Sequence, residues 1–171
     1  MPSPGFMSLL QPDLILEDRI LKLTPALLSQ LGLHGLVLDV DDTIVASRSR
    51  DMLPEFIDWL QDVKQVVQVS LVSNNISRNR IARIADSLEV PYAFGAGKPS
   101  RRKLRPVVAQ MGLPFKQVAM VGDRIFTDVL AGNRLGMFTI LVDPVDHASV
   151  LRTIEIKVLR CLSAHSKTST H

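Results

Sequence analysis

Apolar and polar positions along the 171-residue chain follow two different rhythms. Short stretches rich in β-branched residues, apolar on both faces, recur at 35–40 (GLVLDV), 66–73 (VVQVSLVS), 117–122 (QVAMVG) and 137–143 (MFTILVD). Strands of that kind are covered on both sides, as in a parallel sheet that carries helices on each face. Between them the rhythm becomes helical. Leu53, Phe56, Ile57, Leu60 and Val63 keep an i, i+3, i+4, i+7 stripe, with Pro54 suited to a first turn. Ile81, Ile84, Ala85 and Leu88 repeat the stripe behind Ser77, a good N-cap. Leu104, Val107, Val108 and Met111 form a third stripe that Gly112 closes, and Pro106 inside it predicts a kink or a late helix start. A last amphipathic stretch covers about 147–162, and SAHSKTSTH at 163–171 reads as a disordered tail. The alternation predicts one doubly wound, Rossmann-like α/β domain over 35–162, with a leader, 1–34, packed on it.

Composition narrows the setting. At 46% hydrophobic the chain can bury one proper core and is too short for two. The single cysteine, Cys161, allows no internal disulfide, which fits a reducing cytoplasmic compartment, and it reads as structural. No apolar run approaches the roughly 20 residues that span a bilayer. The start, MPSPGFMSLLQPDLILEDR, has no basic n-region and meets acids early, unlike a secretory signal. The net charge of +3 is mild, so the distribution of charge carries more than its sum.

In open α/β sheets ligands sit beyond the carboxyl ends of the strands, so what each strand ends in is informative. The first ends in Asp39-Val40-Asp41, the second in Ser73 followed by Asn74. Lys98 follows a short extended piece, YAFGAGK, and the strand at 117–122 runs into Asp123 with Asp128 five residues on. Carboxylates, a hydroxyl, an amide and a lysine therefore converge on one rim. Two carboxylates about 4 Å apart repel by roughly 4 kcal/mol at an effective dielectric near 20. Crowded together, Asp39, Asp41, Asp123 and Asp128 call for a hard divalent cation. Magnesium suits a site of carboxylates that also receives a phosphate. A carboxylate can act as nucleophile, splitting one hard hydrolysis into two transfers, and a second acid nearby can serve as general acid and base. Thr43 either braces the Asp39–Asp41 turn or is an ordinary turn threonine, and Asp42 reads as solvent-side.

Those residues carry a resemblance. LVLDVDDTIV is similar to the first motif of the haloacid dehalogenase (HAD) superfamily, a hydrophobic strand followed by Asp-x-Asp-x-Thr. Ser73, Lys98 in GKPS and VGDRIFTD resemble its second, third and fourth motifs, in the family's order. The resemblance implies Asp39 as the nucleophile of an aspartyl-phosphate mechanism and Asp41 as general acid and base. It makes Ser73 and Lys98 the phosphoryl ligands, and Asn74, next in the chain to Ser73, reads as substrate-binding. It also implies a magnesium site of Asp39, the main-chain carbonyl of Asp41, and Asp123, with Asp128 in support. The intervals between motifs hold single helices and are too short for a folded cap, since segments below about 40 residues rarely fold alone. An open site favours large or accessible phosphates. The short chain, the missing cap and the leader LLQPDLILEDRILKLTPALLSQLGLHG resemble the YqeG-like group, whose relatives include phosphatidylglycerophosphate phosphatases. Asp42 stands where that group often has Asn.

A further feature concerns partners. KPSRRKLR, 98–105, holds five basic residues in eight, and Arg78, Arg80, Arg83 and Arg124 are expected near the same rim. Such a patch fits either an anionic phospholipid at a membrane surface, at about 1 kcal/mol per basic residue, or a solvated helix face. The protein is then cytoplasmic, with peripheral membrane contact as the lipid variant of that reading. No aromatics interleave the run, so nucleic acid is not expected. GAGKPS lacks full P-loop spacing, the four histidines have no zinc-ligand spacing, and Trp59 reads as core. The competing readings are a phosphatase of a soluble or protein phosphate, a phosphoacceptor domain, and a scaffold. A phosphoacceptor domain would place its lysine last, whereas Lys98 precedes Asp123 and Asp128.

Overall fold

The computed structural model describes residues 6–16, 19–41, 43–44, 54–74 and 78–144, with the backbone alone at Arg78 and Arg80. Leu53, Ser77, Asp42, Cys161 and the expected amphipathic stretch and tail over 147–171 lie outside the described residues.

Six strands form a single sheet: β1 (Leu14–Ile15), β2 (Gly35–Asp39), β3 (Gln68–Val72), β4 (Tyr92–Ala93), β5 (Val118–Gly122) and β6 (Phe138–Leu141). Their order is β1-β6-β5-β2-β3-β4 and every pairing is parallel. The period-two alternation of a strand divides the core between two faces. Leu36, Leu38, Ala119 and Val121 face one way, where α2 (Pro54–Lys64) and α3 (Arg78–Leu88) bury Phe56, Leu60, Val63, Ile84 and Leu88. Val37, Val118 and Met120 face the other, under α4 (Leu104–Gln110) and α5 (Leu130–Leu135). Both faces are thus covered, as the apolar strand sequences predict, and each fully buried aliphatic side chain contributes about 1.5–3 kcal/mol.

Three details differ from the expectation. In α2, Trp59 is in the core as expected at 8% exposure, but Ile57, expected on the buried stripe, is 36% exposed. The indole N–H of Trp59 donates to the carbonyl of Leu23 at 2.9 Å, which fixes the phase of the helix. In α4, Pro106 is the third residue, so it falls in the first turn, where its missing N–H has no intrahelical partner to lose. The helix starts late and needs no kink. Third, the expected strands begin or end one or two residues outside the paired ladders, because apolar character outlasts pairing.

The leader contributes structure of its own. Leu10, Ile20, Leu23, Leu28 and Leu33 are buried, and β1 adds an edge strand beside β6. Between them, α1 (Pro25–Gln30) starts at Thr24, whose hydroxyl accepts the N–H of Leu27. A polar network pins this segment. The buried Thr139 lies 2.9 Å through its hydroxyl from Asp13 and 3.1 Å from Asn133, and its N–H donates to Asp13 at 2.8 Å. Asn133 in turn donates to the carbonyls of Leu9 and Gln11. A hydroxyl without exposure has to find such partners, since leaving it unpaired costs roughly 1–3 kcal/mol.

Candidate active site

The chain runs from β2 outward through β3 and β4, then crosses back to β5 and β6 on the other side. The direction of winding therefore reverses between β2 and β5, and a crevice opens there at the carboxyl ends. The register puts Asp39 opposite Val72 and Leu38 opposite Val121, so Asp39, Ser73 and Asp123 stand side by side on the rim.

Lys98 reaches this rim from the loop after β4. That loop is tied down along its length. Ala93 accepts the N–H of Ser73 at 3.1 Å, and Ala96 donates to the carbonyl of Ser73 at 2.8 Å. The Asn74 amide clasps Lys98 at both ends: its oxygen accepts the Lys98 N–H at 2.8 Å and its nitrogen donates to the Lys98 carbonyl at 3.1 Å. Gly95 and Gly97, at φ 54° and 63°, supply left-handed turns that side chains resist. Two arginines close the far side, with Arg101 donating to the Arg134 carbonyl and Arg134 to the Pro99 carbonyl.

So held, the Lys98 ammonium sits 2.7 Å from Asp39 Oδ1 and 2.6 Å from Asp128 Oδ1, with all three residues buried. Burial alone would depress the lysine. The carboxylates of Asp128 and then Asp39 outweigh it and raise its pKa above the ordinary 10.5, so it stays charged. Asp39 moves upward for the opposite reason. Burial pushes its carboxyl well above 3.8, Lys98 pulls it back, and the charges of Asp128 and Asp41 push it further. One lysine therefore does not compensate the acids around it.

Asp128 is delivered by a single π-helical turn, Ile125–Val129, which continues into α5. The Val129 N–H reaches back to the Arg124 carbonyl, and the Arg124 N–H donates to the Asp128 carboxylate at 3.3 Å. Such wide turns recur at functional sites because they re-aim one side chain. Asp128 packs directly on the end of β5, which requires Gly122. A Cβ there would overlap the carboxylate and approach Asp128 Cβ to 2.7 Å. Gly122→Ala should cost about 1–3 kcal/mol by overpacking and lower turnover by displacing Asp128. Thermal melts with a soluble phosphoester assay check both, and unchanged turnover would remove the need for Asp128's position.

Ligand atoms of Asp39, Asp123 and Asp128 lie within 4.8 Å of one another. Thr43 is more than a local brace: its buried hydroxyl donates to Asp123 Oδ1 at 3.3 Å, linking the loop after β2 to β5. Three buried carboxylates against one ammonium leave an excess of negative charge, and an all-oxygen donor set of that kind fits a hard divalent cation.

The expected site residues are thus brought together, with differences in placement. The side chain of Asp41 lies outside the close acidic triad and instead accepts the Ser73 hydroxyl at 2.5 Å. Asn74, expected to bind substrate, has its amide engaged by the Lys98 backbone. The basic run is not one face. Lys98 is buried in the site, Lys103 donates to the Phe94 carbonyl and lies over its ring, and Arg105 lies over the Phe115 ring. Sequence reasoning missed the clasp of Asn74, for which a lone amide gives no signal, and the close approach at Gly122, for which the glycine itself was a signal.

Comparison with known proteins agrees with this geometry. The family model described as HAD-hydrolase-like matches residues 95–148. The Bacillus subtilis protein named probable phosphatase YqeG is 34% identical over 135 residues, covering 78% of this chain and 77% of that protein. Chloroplastic phosphatidylglycerophosphate phosphatase 1 of Chlamydomonas reinhardtii is 29% identical over 150 residues, covering 82% of this chain and 55% of the algal protein. Among solved structures, a HAD-like family hydrolase from Porphyromonas gingivalis superposes with a TM-score of 0.53 at 11% identity, over 73% of this chain and 98% of that one. A hypothetical protein from Xanthomonas campestris gives 0.52 at 15% identity, over 91% and 100%. The sheet, the rim and these relatives together define the class as HAD-type phosphatases, and the chain belongs to the YqeG family within it. It is a phosphomonoester hydrolase, and its substrate is a phosphorylated compound. Among the described residues no helix is long and apolar enough to cross a membrane.

Proposed function

We propose that the protein is a magnesium-dependent phosphatase that works through phosphoryl-Asp39 and acts on phosphatidylglycerophosphate. The observation that carries the mechanism is Lys98 held between Asp39 and Asp128, beside a Ser73–Asp41 hydrogen bond on the same rim. In the first transfer an Asp39 oxygen attacks phosphorus, an O–P bond forms, and the bond to the leaving oxygen breaks. Asp41 gives its proton to that oxygen. In the second, Asp41 takes a proton from water, which attacks phosphorus and restores the Asp39 carboxylate. The Ser73 hydroxyl and the Lys98 ammonium bind the phosphoryl oxygens, and Asn74 holds Lys98 in place. Asp39, Asp123, Asp128 and the main-chain carbonyl of Asp41 would hold magnesium, which would supply positive charge against the carboxylates and the phosphoryl group. Asp39 keeps its bond from the Val40 N–H at 3.0 Å, which orients the carboxylate along the rim.

The lipid substrate is supported by the names of the algal and plant relatives, of which this chain spans 55% and 42%. The test is a hydrolysis screen across lipid, sugar, nucleotide and protein phosphates. Phosphatidylglycerophosphate should be turned over fastest, and a soluble phosphate turned over faster would overturn the lipid assignment. A chelator should stop the reaction, magnesium should restore it and calcium should not, because calcium takes more ligands at longer distances. Full activity in chelator would remove the metal.

A further inference from the structure

Next to the Lys98 loop, a groove of about 470 Å³ lies between the edge strand β4 and α4. Tyr92, Phe94 and Val107 make its apolar lining, Gln110 adds a polar group, and Arg102 and Lys103 add two cations. None of these residues belongs to the acid and lysine cluster. The groove is nevertheless close to it. Phe94 falls between Ala93 and Ala96, which both hydrogen-bond the backbone of Ser73. With strands about 4.8 Å apart and successive Cα atoms 3.8 Å apart, the groove begins within roughly 9 Å of Ser73.

Its chemistry is amphiphilic. Lys103 is fixed, with its ammonium 3.0 Å from the Phe94 carbonyl and 5.1 Å from the centre of the Phe94 ring. One of its three N–H groups is used there, which leaves two for an acceptor. The exposed Arg102 guanidinium makes no hydrogen bond among the described residues and offers a planar fork suited to phosphate oxygens. No carboxylate lines the groove to neutralise the pair. An anion bound here would relieve their repulsion, and an apolar segment attached to it would cover Tyr92, Phe94 and Val107. A soluble sugar phosphate has no use for that apolar lining.

We propose that the β4–α4 groove binds the phosphodiester and adjoining acyl-glycerol part of an anionic glycerophospholipid, while its terminal phosphomonoester reaches Lys98. This deepens, and rests on, the lipid-substrate reading above. The experiment compares two double variants of equal charge. Arg102→Ser/Lys103→Ser removes the groove's cations, and Arg105→Ser/Lys116→Ser removes two exposed cations outside it. The first should raise KM for phosphatidylglycerophosphate at least tenfold relative to KM for 4-nitrophenyl phosphate, and the second should leave that ratio at the wild-type value. Dihexanoyl phosphatidylglycerol, which has no terminal phosphate to lose, should bind the wild type and bind the groove variant at least tenfold more weakly. Equal behaviour of the two variants, or equal loss on both substrates, overturns the groove while leaving a lipid phosphatase in place. Tighter binding of a nucleoside monophosphate than of the short lipid overturns it as well. Loss of dihexanoyl phosphatidylglycerol binding in the groove variant alone, with no hydrolysis of phosphatidylglycerophosphate, would uphold the groove and overturn the substrate.

Discussion

Asp39→Asn should abolish turnover, by roughly 10⁴-fold or more, while leaving the protein folded. An amide oxygen cannot form the acyl phosphate, so no substrate with a better leaving group should rescue it. The same change removes a buried charge from an acidic cluster that Lys98 alone does not balance. The carboxyl of Asp39 is pushed upward chiefly by burial and further by Asp128 and Asp41. The variant's melting temperature in chelator should therefore equal or exceed that of the wild type. Wild-type rates in the variant would end the covalent mechanism. A clear fall in stability in chelator would mean that the Asp39–Lys98 pair outweighs the repulsion.

Lys98→Met should do the reverse to stability. It keeps the length of the side chain and leaves Asp39, Asp123 and Asp128 buried with no ammonium among them. Breaking a buried pair in this way costs about 3–5 kcal/mol, measurable by urea unfolding in chelator. Activity should fall by roughly 10²–10³-fold or more, the loss expected for one donor to a developing charge. The pH dependence follows from the sign of the shifts. Lys98 is raised above 10.5, so its stabilisation is complete below pH 10.5 and fades as pH climbs beyond. In the variant the acids lose their partner and their affinity for protons rises. Its stability relative to the wild type should then improve as pH falls from about 8 to 5. A deficit independent of pH across that range would show that packing, not charge, dominates at Lys98.

The two faces of the sheet were legible in the sequence because parallel strands covered on both sides leave a continuous apolar run, and β2, β3, β5 and β6 all have one. Their terminal residues were legible for the same reason: Asp39, Ser73 and Asp123 interrupt those runs abruptly. Two-residue strands carry no such signal, so β1 went unseen although its neighbours bury Leu10 and Ile20. The segment Ile125–Leu135 was also missed. Its wide turn and the packing of Gly132 against Thr139 and Met120 break the regular helical stripe. Trp59 is in the core as its sequence reading has it, while Ile57 falls outside: the indole's hydrogen bond to Leu23, distant in sequence, holds the Trp59 side of α2 inward. Within the site, residue types were readable but their contacts were not. Nothing in a lone amide or threonine says that Asn74 will hold Lys98 or that Thr43 will reach Asp123. Those links are made by the fold, across strands that the chain visits far apart.

The most direct test of the account is to trap the phosphoryl group on the protein. Asp41→Asn should slow the second transfer, in which Asp41 draws a proton from water, and so let the intermediate build up. Acid quench of that variant with a labelled phosphoester of good leaving group, followed by peptide mass spectrometry, should place one phosphoryl group on Asp39, removable by hydroxylamine. Phosphate on Ser73 and stable to hydroxylamine, or steady hydrolysis with no labelled protein at any quench time, would contradict it.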